Sequence, residues 1–313
     1  MTSENKITFE IKEGESVNAI LDKLKDQKVI SSDFLLKAYL KFKGADTKIK
    51  AGLFEIEPPI TLKKIVEAIQ GEGKSNERNI TIIPGWDLRD IARYFEAEGI
   101  VSSTYVYALT GKPAEFGPWA SSTFQTYAIL KTKPQNVSLE GYFAPETYRI
   151  YKNEKIESIL KRLLDQREKD FTMQMLQDIQ NQGKTVHEIL TLAGILEKEV
   201  KTSEDRKKVA DLFWRRIQLG MGLQADSTVH YLSGREGDVF TKAKERQIDS
   251  LYNTYKYRDL PPGPISNPSI SSIMAAIYPT PNDAFYFLTT TDGDVKYART
   301  LDEHNANVVK YLR

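Results

Sequence analysis

The chain has 313 residues, more than one compact domain usually contains, so we expect a large core with one or two smaller modules. Hydrophobic residues make up 40% and charged residues 28%, a balance typical of a globular protein rather than of a disordered or membrane-spanning one. The net charge of +1 gives no bulk attraction to nucleic acid, and the lack of cysteine excludes disulfides, thiolate catalysis and cysteine-based zinc sites.

The N-terminal part of the chain begins with a strand-like run, Ile7–Ile11, and contains an internal repeat. The segment 13–32 returns as the segment 84–103, at a constant offset of 71 residues. Each copy predicts a strand, a glycine turn, an N-cap at Ser16 or Asp87, and an amphipathic helix. Two small related modules are therefore expected.

Between the two copies, a further strand and helix are predicted. Lys50–Ile56 has the pattern of a strand, and Thr61 is an N-cap candidate for a helix over Leu62–Ile69. This order resembles the LysM-type modules that bind cell walls, although a plain structural spacer fits the same pattern. We expect a LysM-like module over 1–78 and a second, repeat-related module with a connector over 79–138.

The remainder, 139–313, is predicted to form the largest domain. It opens with helices and then mixes helices and strands without a regular βαβ alternation, which predicts an α+β fold. The predicted elements are helices over Ile156–Gln182 and Val186–Val200, a third helix opening at the capping box Thr202-x-x-Asp205, an apolar helix over Ile273–Ile277 and a strand over Ala284–Thr289.

The helix Val186–Val200 carries two carboxylates, Glu197 and Glu199, at the edge of its apolar face. Burial raises the pKa of a carboxyl group and keeps it protonated long enough to donate to a leaving oxygen, as cleavage of a glycosidic bond requires. The alternative is a solvated Glu-Lys-Glu run at a helix end. Helix geometry alone does not choose between the two glutamates.

Five blocks in the second half of the chain favour the functional interpretation. They occur in a fixed order over about 125 residues: Glu140–Tyr148, Ile195–Glu199, Gly220–Thr228, Tyr252–Tyr255 and Leu260–Ile265. In order and spacing they resemble the catalytic domain of the endolytic murein transglycosylases, the MltG or YceG-like family.

This resemblance implies the chemistry and the residue that performs it. The family's catalytic glutamate falls on Glu199, with Glu197 as the alternative. The implied reaction cleaves the bond between N-acetylmuramic acid and N-acetylglucosamine within a glycan strand and leaves a 1,6-anhydro end without consuming water. One carboxyl group can serve as acid and then as base.

Polar residues of the matching blocks are the candidate substrate contacts. Gln224, Asn253 and Tyr255 can hold the sugar or its N-acetyl group. Asp226 is either a second site carboxylate or the N-cap of a short helix. Within the Gln-x-Asp-x-Thr block, Ala225 stands where the family often has threonine or serine and Ser227 where it often has proline, which bears on substrate preference.

Two residues of the first block have a functional and a structural interpretation. Glu146 either orients substrate or braces the loop after Pro145, and Tyr142 either stacks on a sugar ring or packs in a turn. The three histidines are not closely spaced, so we expect no metal and no cofactor. His230, near the Asp226 block, is more typical of a core or edge histidine than of a base.

Two other functions fit parts of this pattern. A wall-binding scaffold would use the N-terminal modules, and a hydrolase would use Asp226 or Glu146 to activate water. The resemblance implies peptidoglycan strands as substrate, cell-wall synthases as partners, and a single-pass protein of the bacterial cytoplasmic membrane whose catalytic part faces the wall compartment. Since the sequence has no run of roughly 20 apolar residues, we expect the anchor to have been removed.

Overall fold

The computed structural model describes residues 6–12, 14–45, 48–71, 76–117, 124, 126–234 and 244–312. The chain folds into two compact units, one of Met1–Asn79 with Arg149–Asn153 and one of Ile80–Tyr148 with Glu154–Arg313. The expected division into three domains rests on the repeat and on the family resemblance, and it stays a prediction. Glu13, the first residue of the repeat, lies outside the described residues.

The first unit packs helices against a small antiparallel sheet. Phe9 of one strand lies opposite Phe54 of the other, and their rings are stacked. Alternate strand residues point into a core completed by the apolar faces of the helices, as period-2 and period-3.6 patterns require. The elements are β1 (Ile7–Ile11), α1 (Val17–Asp26), α2 (Asp33–Phe42), β2 (Gly52–Ile56) and α3 (Leu62–Gln70).

The hydroxyl groups of Ser16 and Thr61 accept hydrogen bonds from backbone N–H groups three residues later, at the starts of α1 and α3. Both predicted N-caps are confirmed. The helix α3 ends at Gln70, followed by Gly71.

A two-stranded sheet is formed by β3 (Glu77–Thr81) and β4 (Thr147–Tyr151). In the second unit, Asp87 caps the next helix and forms a capping box with Asp90, which confirms the predicted N-cap. The elements of the second unit are α4 (Leu88–Ala97), α5 (Ser103–Thr110), α6 (Ile156–Lys169), α7 (Met173–Asn181), α8 (Val186–Glu199), α9 (Ser203–Gln218), α10 (Asp226–Ser233), α11 (Ile270–Ile277), β5 (Tyr286–Thr289), β6 (Val295–Ala298) and α12 (Leu301–Leu312).

The centre of the second unit is α8, whose residues from Ile189 to Leu196 are all buried. It packs against α9, α10 and α11. Gly194 lets the chain pass close by, since an added Cβ would lie 3.1 Å from the carbonyl oxygen of Ser266. This packing fixes both the axis of α8 and the position of its C-terminal end.

One predicted helix is wrong in its extent. Ile156–Gln182 is two helices, α6 and α7, separated by residues 170–172. Phe171 is buried at the break, and the Thr172 hydroxyl accepts from the N–H of Met175 to start the second helix. A threonine that can cap a new helix competes with continuation of the old one.

The other predicted elements of this unit are close to those observed. The helix Val186–Val200 corresponds to α8, and Thr202 caps α9 by accepting from the N–H of Asp205. The predicted strand Ala284–Thr289 contains β5, which pairs antiparallel with β6. The predicted mixed α+β class is confirmed by the twelve helices and small sheets of the described ranges.

Candidate active site

The C-terminal turn of α8 carries both candidate glutamates. A capping box starts the helix: Glu188 N–H donates to the Thr185 hydroxyl, and the Glu188 carboxylate accepts from Thr185 N–H. The helix ends after Glu199, because Val200 has an extended backbone. Glu197 and Glu199 are separated by about 200° around the axis, so they face different neighbours.

Glu197 is occupied by groups of the protein. Its Oε1 lies 2.7 Å from Nη2 of Arg206, while its Oε2 accepts from the backbone N–H of Ser269 at 2.8 Å and from the hydroxyls of Ser269 and Ser272 at 2.5 and 2.7 Å. The Glu197 side chain is only 7% exposed. It therefore joins α8, α9 and the start of α11, as a structural brace does.

Glu199 has a different set of partners. Its Oε1 accepts from the hydroxyl of Ser227 at 2.6 Å and from the Ser227 N–H at 3.2 Å. No residue of the described ranges donates to its Oε2. Burial raises the pKa of this carboxyl group above its ordinary value, the hydrogen bonds from Ser227 act against this, and the nearby charge of Asp226 adds to it.

Asp226 lies next to this pair in a second polar cluster. Tyr255 donates its hydroxyl to Asp226 Oδ1 at 2.8 Å, and Nη2 of Arg246 lies 3.7 Å from the same oxygen. The guanidinium carbon of Arg246 also lies 4.7 Å from the centre of the Tyr255 ring. Burial first, and then the Asp226 charge, raise the pKa of Tyr255, which keeps it a hydrogen-bond donor.

The alternative interpretation of Asp226 as an N-cap is wrong. Ala225 occupies the cap position of α10, and Asp226 is its first helical residue. The reason is that Ala225 is held from both sides, by its N–H to the Thr254 hydroxyl at 3.0 Å and by its carbonyl, which accepts from the Thr228 hydroxyl at 2.7 Å. The Asp226 side chain is thereby left to Tyr255 and Arg246.

Gln224 precedes this turn and is exposed. Its φ of 53° lies in the left-handed region that residues other than glycine rarely adopt. The strained backbone is held by a hydrogen bond from its N–H to the Thr254 carbonyl. The backbone of this exposed residue is thus fixed two residues before Asp226.

The polar groups of Tyr142 and Asn253 form hydrogen bonds inside the protein. Tyr142 is fully buried, and its hydroxyl lies 2.8 Å from Nδ1 of His187, an arrangement that matches the packing alternative. The amide of Asn253, also fully buried, donates to the carbonyls of Arg246 and Ile248 and accepts from the N–H of Tyr255. Its geometry makes it a support for the loop that carries Tyr255.

Glu146 is exposed at the start of β4, where its carbonyl accepts from the N–H of Ile82. This backbone contact gives the loop a brace that does not use the carboxylate.

His230 lines a cleft that also contains Ser227 and Lys198, and the cleft is completed by Asp87, Arg89, Asp90, Tyr231, Gly234 and Ile265. The cleft therefore extends to Ser227, whose hydroxyl donates to Glu199.

Contacts from Ser227 to Glu199 and from Tyr255 to Asp226 therefore bring three of the five sequence blocks together, and comparison with known proteins decides the family. A family model described as the YceG-like family matches residues 9–310. The chain belongs to the YceG-like family. The predicted resemblance is confirmed.

Individual relatives agree with this assignment over nearly the whole chain. An endolytic murein transglycosylase of Bacillus subtilis is 32% identical over 313 residues, covering 99% of this chain and 86% of that protein. The same-named protein of Streptococcus pneumoniae R6 is 29% identical, and the match spans 99% of this chain and 59% of the relative. A crystal structure of a YceG-like protein from Listeria monocytogenes has a TM-score of 0.64 at 32% identity, covering 97% and 99% of the two chains.

Sequence reasoning missed several members of this YceG-like site. Ser227 stands in a quoted block, but its contact with Glu199 was not visible in the sequence, and Arg246, which approaches Asp226, belongs to no quoted block. Glu140 belongs to a quoted block, but its role was not visible: it is fully buried, accepts from the N–H of Leu88 and the hydroxyl of Tyr231, and burial raises its pKa well above the ordinary value.

Within the described ranges, no group of three or more histidine, cysteine, aspartate or glutamate side chains has the arrangement of a metal site. His187 is a core residue, with Nε2 2.8 Å from the Pro262 carbonyl oxygen. None of the described helices combines the length and the apolar composition needed to cross a membrane.

Proposed function

We propose that this chain is an endolytic peptidoglycan lytic transglycosylase that cleaves the bond between N-acetylmuramic acid and N-acetylglucosamine and leaves a 1,6-anhydro-N-acetylmuramic acid end. Two kinds of observation support the proposal. The relatives from Bacillus and Streptococcus carry the name endolytic murein transglycosylase. The half-buried Glu199 has the environment that an acid for a glycosidic oxygen needs.

The observation that carries the mechanism is the contrast between the two glutamates. The described residues supply four donors to Glu197, and a substrate would have to displace them. Among the described residues, Glu199 is held through Oε1, which leaves Oε2 for chemistry. Glu199 is therefore our choice for the catalytic residue, and Glu197 is assigned to support.

The first step transfers the proton of Glu199 to the glycosidic oxygen as the bond from that oxygen to the anomeric carbon breaks. Because burial raises the pKa of Glu199, its protonated form persists to higher pH than that of a solvated glutamate. The leaving sugar departs as a neutral hydroxyl compound, and Glu199 becomes a carboxylate.

In the second step the sugar's own 6-hydroxyl attacks the anomeric carbon, and the Glu199 carboxylate takes its proton. An oxygen bridge forms within the sugar, no water is consumed, and Glu199 returns to its starting protonation state. The attack is intramolecular, so its entropic cost is low. The same carboxyl group serves both steps, unlike the two carboxyl groups of most glycosidases.

Positive charge on the sugar ring grows between these steps and needs a negative neighbour. Asp226 is held by Tyr255 and Arg246, its charge acts on Glu199, and we assign this role to its carboxylate. We assign Asp226 and Tyr255 to transition-state stabilisation and the exposed amide of Gln224 to a substrate contact. Glu146 is a further candidate for a substrate contact, since its side chain is exposed; it lies just before β4 and far from Asp226 in the chain.

Place and partners belong to the same proposal. A murein-cleaving activity requires access to the wall compartment, at the outer face of the cytoplasmic membrane. Single-pass anchoring and cell-wall synthases as partners rest on the family resemblance alone. The LysM-like interpretation of the N-terminal modules likewise rests on their order of strands and helices, with peptidoglycan strands as the ligand.

The test of the function is the chemistry of the product ends. Isolated glycan strands are treated with the protein in oxygen-18 water, and the fragments are analysed by mass spectrometry. We expect anhydro ends without the heavy isotope. Reducing ends that contain it would identify a hydrolase, and binding to strands without any cleavage would identify a scaffold, so either result overturns the proposal.

A further inference from the structure

Within the part of the chain that the structure describes, Ser227 anchors the carboxyl group of Glu199 through one oxygen. Ser227 approaches Oε1 with two donors, its hydroxyl at 2.6 Å and its N–H at 3.2 Å, while Oε2 receives no donor from the described residues. We propose that Ser227 is a positioning residue that directs the exchangeable proton of Glu199 to Oε2. It also sets the upper end of the pH range in which Glu199 keeps that proton. The inference rests on the proposed function of Glu199.

The two donors are set before any substrate binds. Ser227 is the second residue of α10, so its N–H belongs to the first turn, where amides have no partner within the helix. The backbone on either side is fixed by the contacts of Ala225 and Thr228 with the Thr254 hydroxyl. The Ser227 side chain is buried and has little room to leave Glu199.

Two donors on Oε1 decide where the proton of the neutral acid sits. A carboxyl oxygen that binds a proton uses one of its two lone pairs for it. Both lone pairs of Oε1 already accept hydrogen bonds from Ser227, whereas no described residue donates to Oε2. The neutral acid therefore carries its proton on Oε2, the oxygen that remains for the glycosidic bond. After transfer, the same two donors stabilise the carboxylate that must take the second proton.

The surroundings of Glu199 act on its pKa in opposite directions. Burial raises its pKa and the charge of Asp226 raises it further, while Ser227 lowers it. Arg246 lies near the Asp226 carboxylate, and Tyr255 donates to the same carboxylate. Lys198, which is on α8 with Glu199, donates to the carbonyl of Gly85. Among these groups, Ser227 supplies the direct donors that oppose the effect of burial.

The pair of donors depends on the residue type at position 227. Serine supplies both a hydroxyl and a backbone N–H. Alanine would keep only the N–H, and proline would supply neither donor. The pH range over which Glu199 stays protonated should therefore respond to this one side chain.

The test uses Ser227→Ala, which removes the hydroxyl and keeps the N–H. Because a donor to the carboxylate is lost, the pKa of Glu199 should rise further, and the alkaline limb of the pH profile of kcat/KM should move to higher pH. The maximal kcat should fall about 10-fold, the size expected for one charge-assisted hydrogen bond. Ser227→Thr, which keeps the hydroxyl, should restore the wild-type limb.

Ser233→Ala is the matched control, because it removes a hydroxyl from the other end of α10, where the partner is the carbonyl of His230. It should leave the limb in place. An unchanged limb in Ser227→Ala would overturn the proposal, since a merely structural serine would alter rate or stability without moving it. A limb that moves equally in Ser233→Ala would also overturn it.

A direct titration separates this inference from the proposed function. The carboxyl carbons of glutamate are followed by NMR on protein labelled with carbon-13, with Glu199→Gln used to assign the signal. The titration of Glu199 should move to higher pH in Ser227→Ala whether or not the wild type cleaves glycan. No movement overturns the role of Ser227, whereas movement in a protein that makes no anhydro ends overturns only the proposed function.

Discussion

Glu197 and Glu199 lie two residues apart on α8, and their carboxylates bind donors from different parts of the chain. Arg206 on α9 and the two serines at the start of α11 hold the first, and Ser227 on α10 holds the second. The end of one buried helix thus presents two carboxylates in two environments. Substitutions at the two positions should separate a structural role for one from a chemical role for the other.

Glu197→Gln should destabilise the protein. The substitution removes the charge that pairs with Arg206, whose side chain is only 12% exposed. It also replaces one carboxylate oxygen with an NH2 group, which cannot accept from the donors that face it. The expected loss is about 2–3 kcal/mol of unfolding free energy, slightly below the value for a fully buried pair. It is measured as a lower urea midpoint, while the folded enzyme keeps most of its activity.

The control is Glu204→Gln, which breaks the exposed pair with Lys208 and should change stability by less than about 0.5 kcal/mol. An unchanged urea midpoint in Glu197→Gln, together with complete loss of cleavage, would instead make Glu197 the chemical residue.

Glu199→Gln should stabilise the protein at alkaline pH and have a smaller effect at acidic pH. The pKa of Glu199 is raised in the folded state, chiefly by burial, so its contribution to stability is fully present below the unfolded pKa and is lost as the pH rises through the folded pKa. A neutral glutamine has no such loss. The melting temperatures of wild type and variant should therefore diverge as pH rises, and a gap that narrows with rising pH would refute this sign.

Tyr255→Phe should lower kcat with little change in stability. The ring stays beneath Arg246, but the hydroxyl that lies 2.8 Å from Asp226 is lost. Loss of one hydrogen bond to a carboxylate that stabilises the transition state should reduce kcat about 10-fold. Steady-state kinetics on glycan strands measure this, and a raised KM at unchanged kcat would show that Tyr255 binds the ground state instead.

Gly141→Ala should destabilise the protein far more than Gly183→Ala. Both glycines have a positive φ, of 84° and 66°, so both variants meet backbone strain. At Gly141 a Cβ would also lie within van der Waals overlap of the Pro264 ring, whereas nothing lies within 4 Å at Gly183. We expect losses of about 3 kcal/mol or more at Gly141 and about 1 kcal/mol at Gly183. Equal urea midpoints would show that Pro264 moves away freely.

Most of the local elements of this fold could be predicted from the sequence. Ser16, Thr61 and Asp87 were identifiable as N-caps because a cap depends on residues within one helical turn. The end of α8 was placed to within one residue for the same reason. The break at Phe171 was not visible, since its burial depends on tertiary packing that helical periodicity does not encode.

The site could be predicted only in part. Helix spacing placed two carboxylates at the edge of the core, but the serine donors of Glu197 lie 72 and 75 residues further along the chain and that of Glu199 lies 28 residues further. These long-range contacts decide which of the two glutamates has both carboxylate oxygens hydrogen-bonded. The contacts of Asn253 are closer in sequence, to the carbonyls of Arg246 and Ile248, but they depend on a loop conformation that no periodic pattern reveals.

The role of Glu199 as the acid is tested most sharply by the yield of anhydro-ended fragments from isolated glycan strands, measured by mass spectrometry for wild type, Glu199→Gln and Glu204→Gln. The two variants carry the same chemical change, one at the proposed acid and one at an exposed residue of α9. We expect Glu199→Gln to lose about 1000-fold in rate while Glu204→Gln cleaves like wild type. Near wild-type formation of anhydro ends by Glu199→Gln would contradict this role.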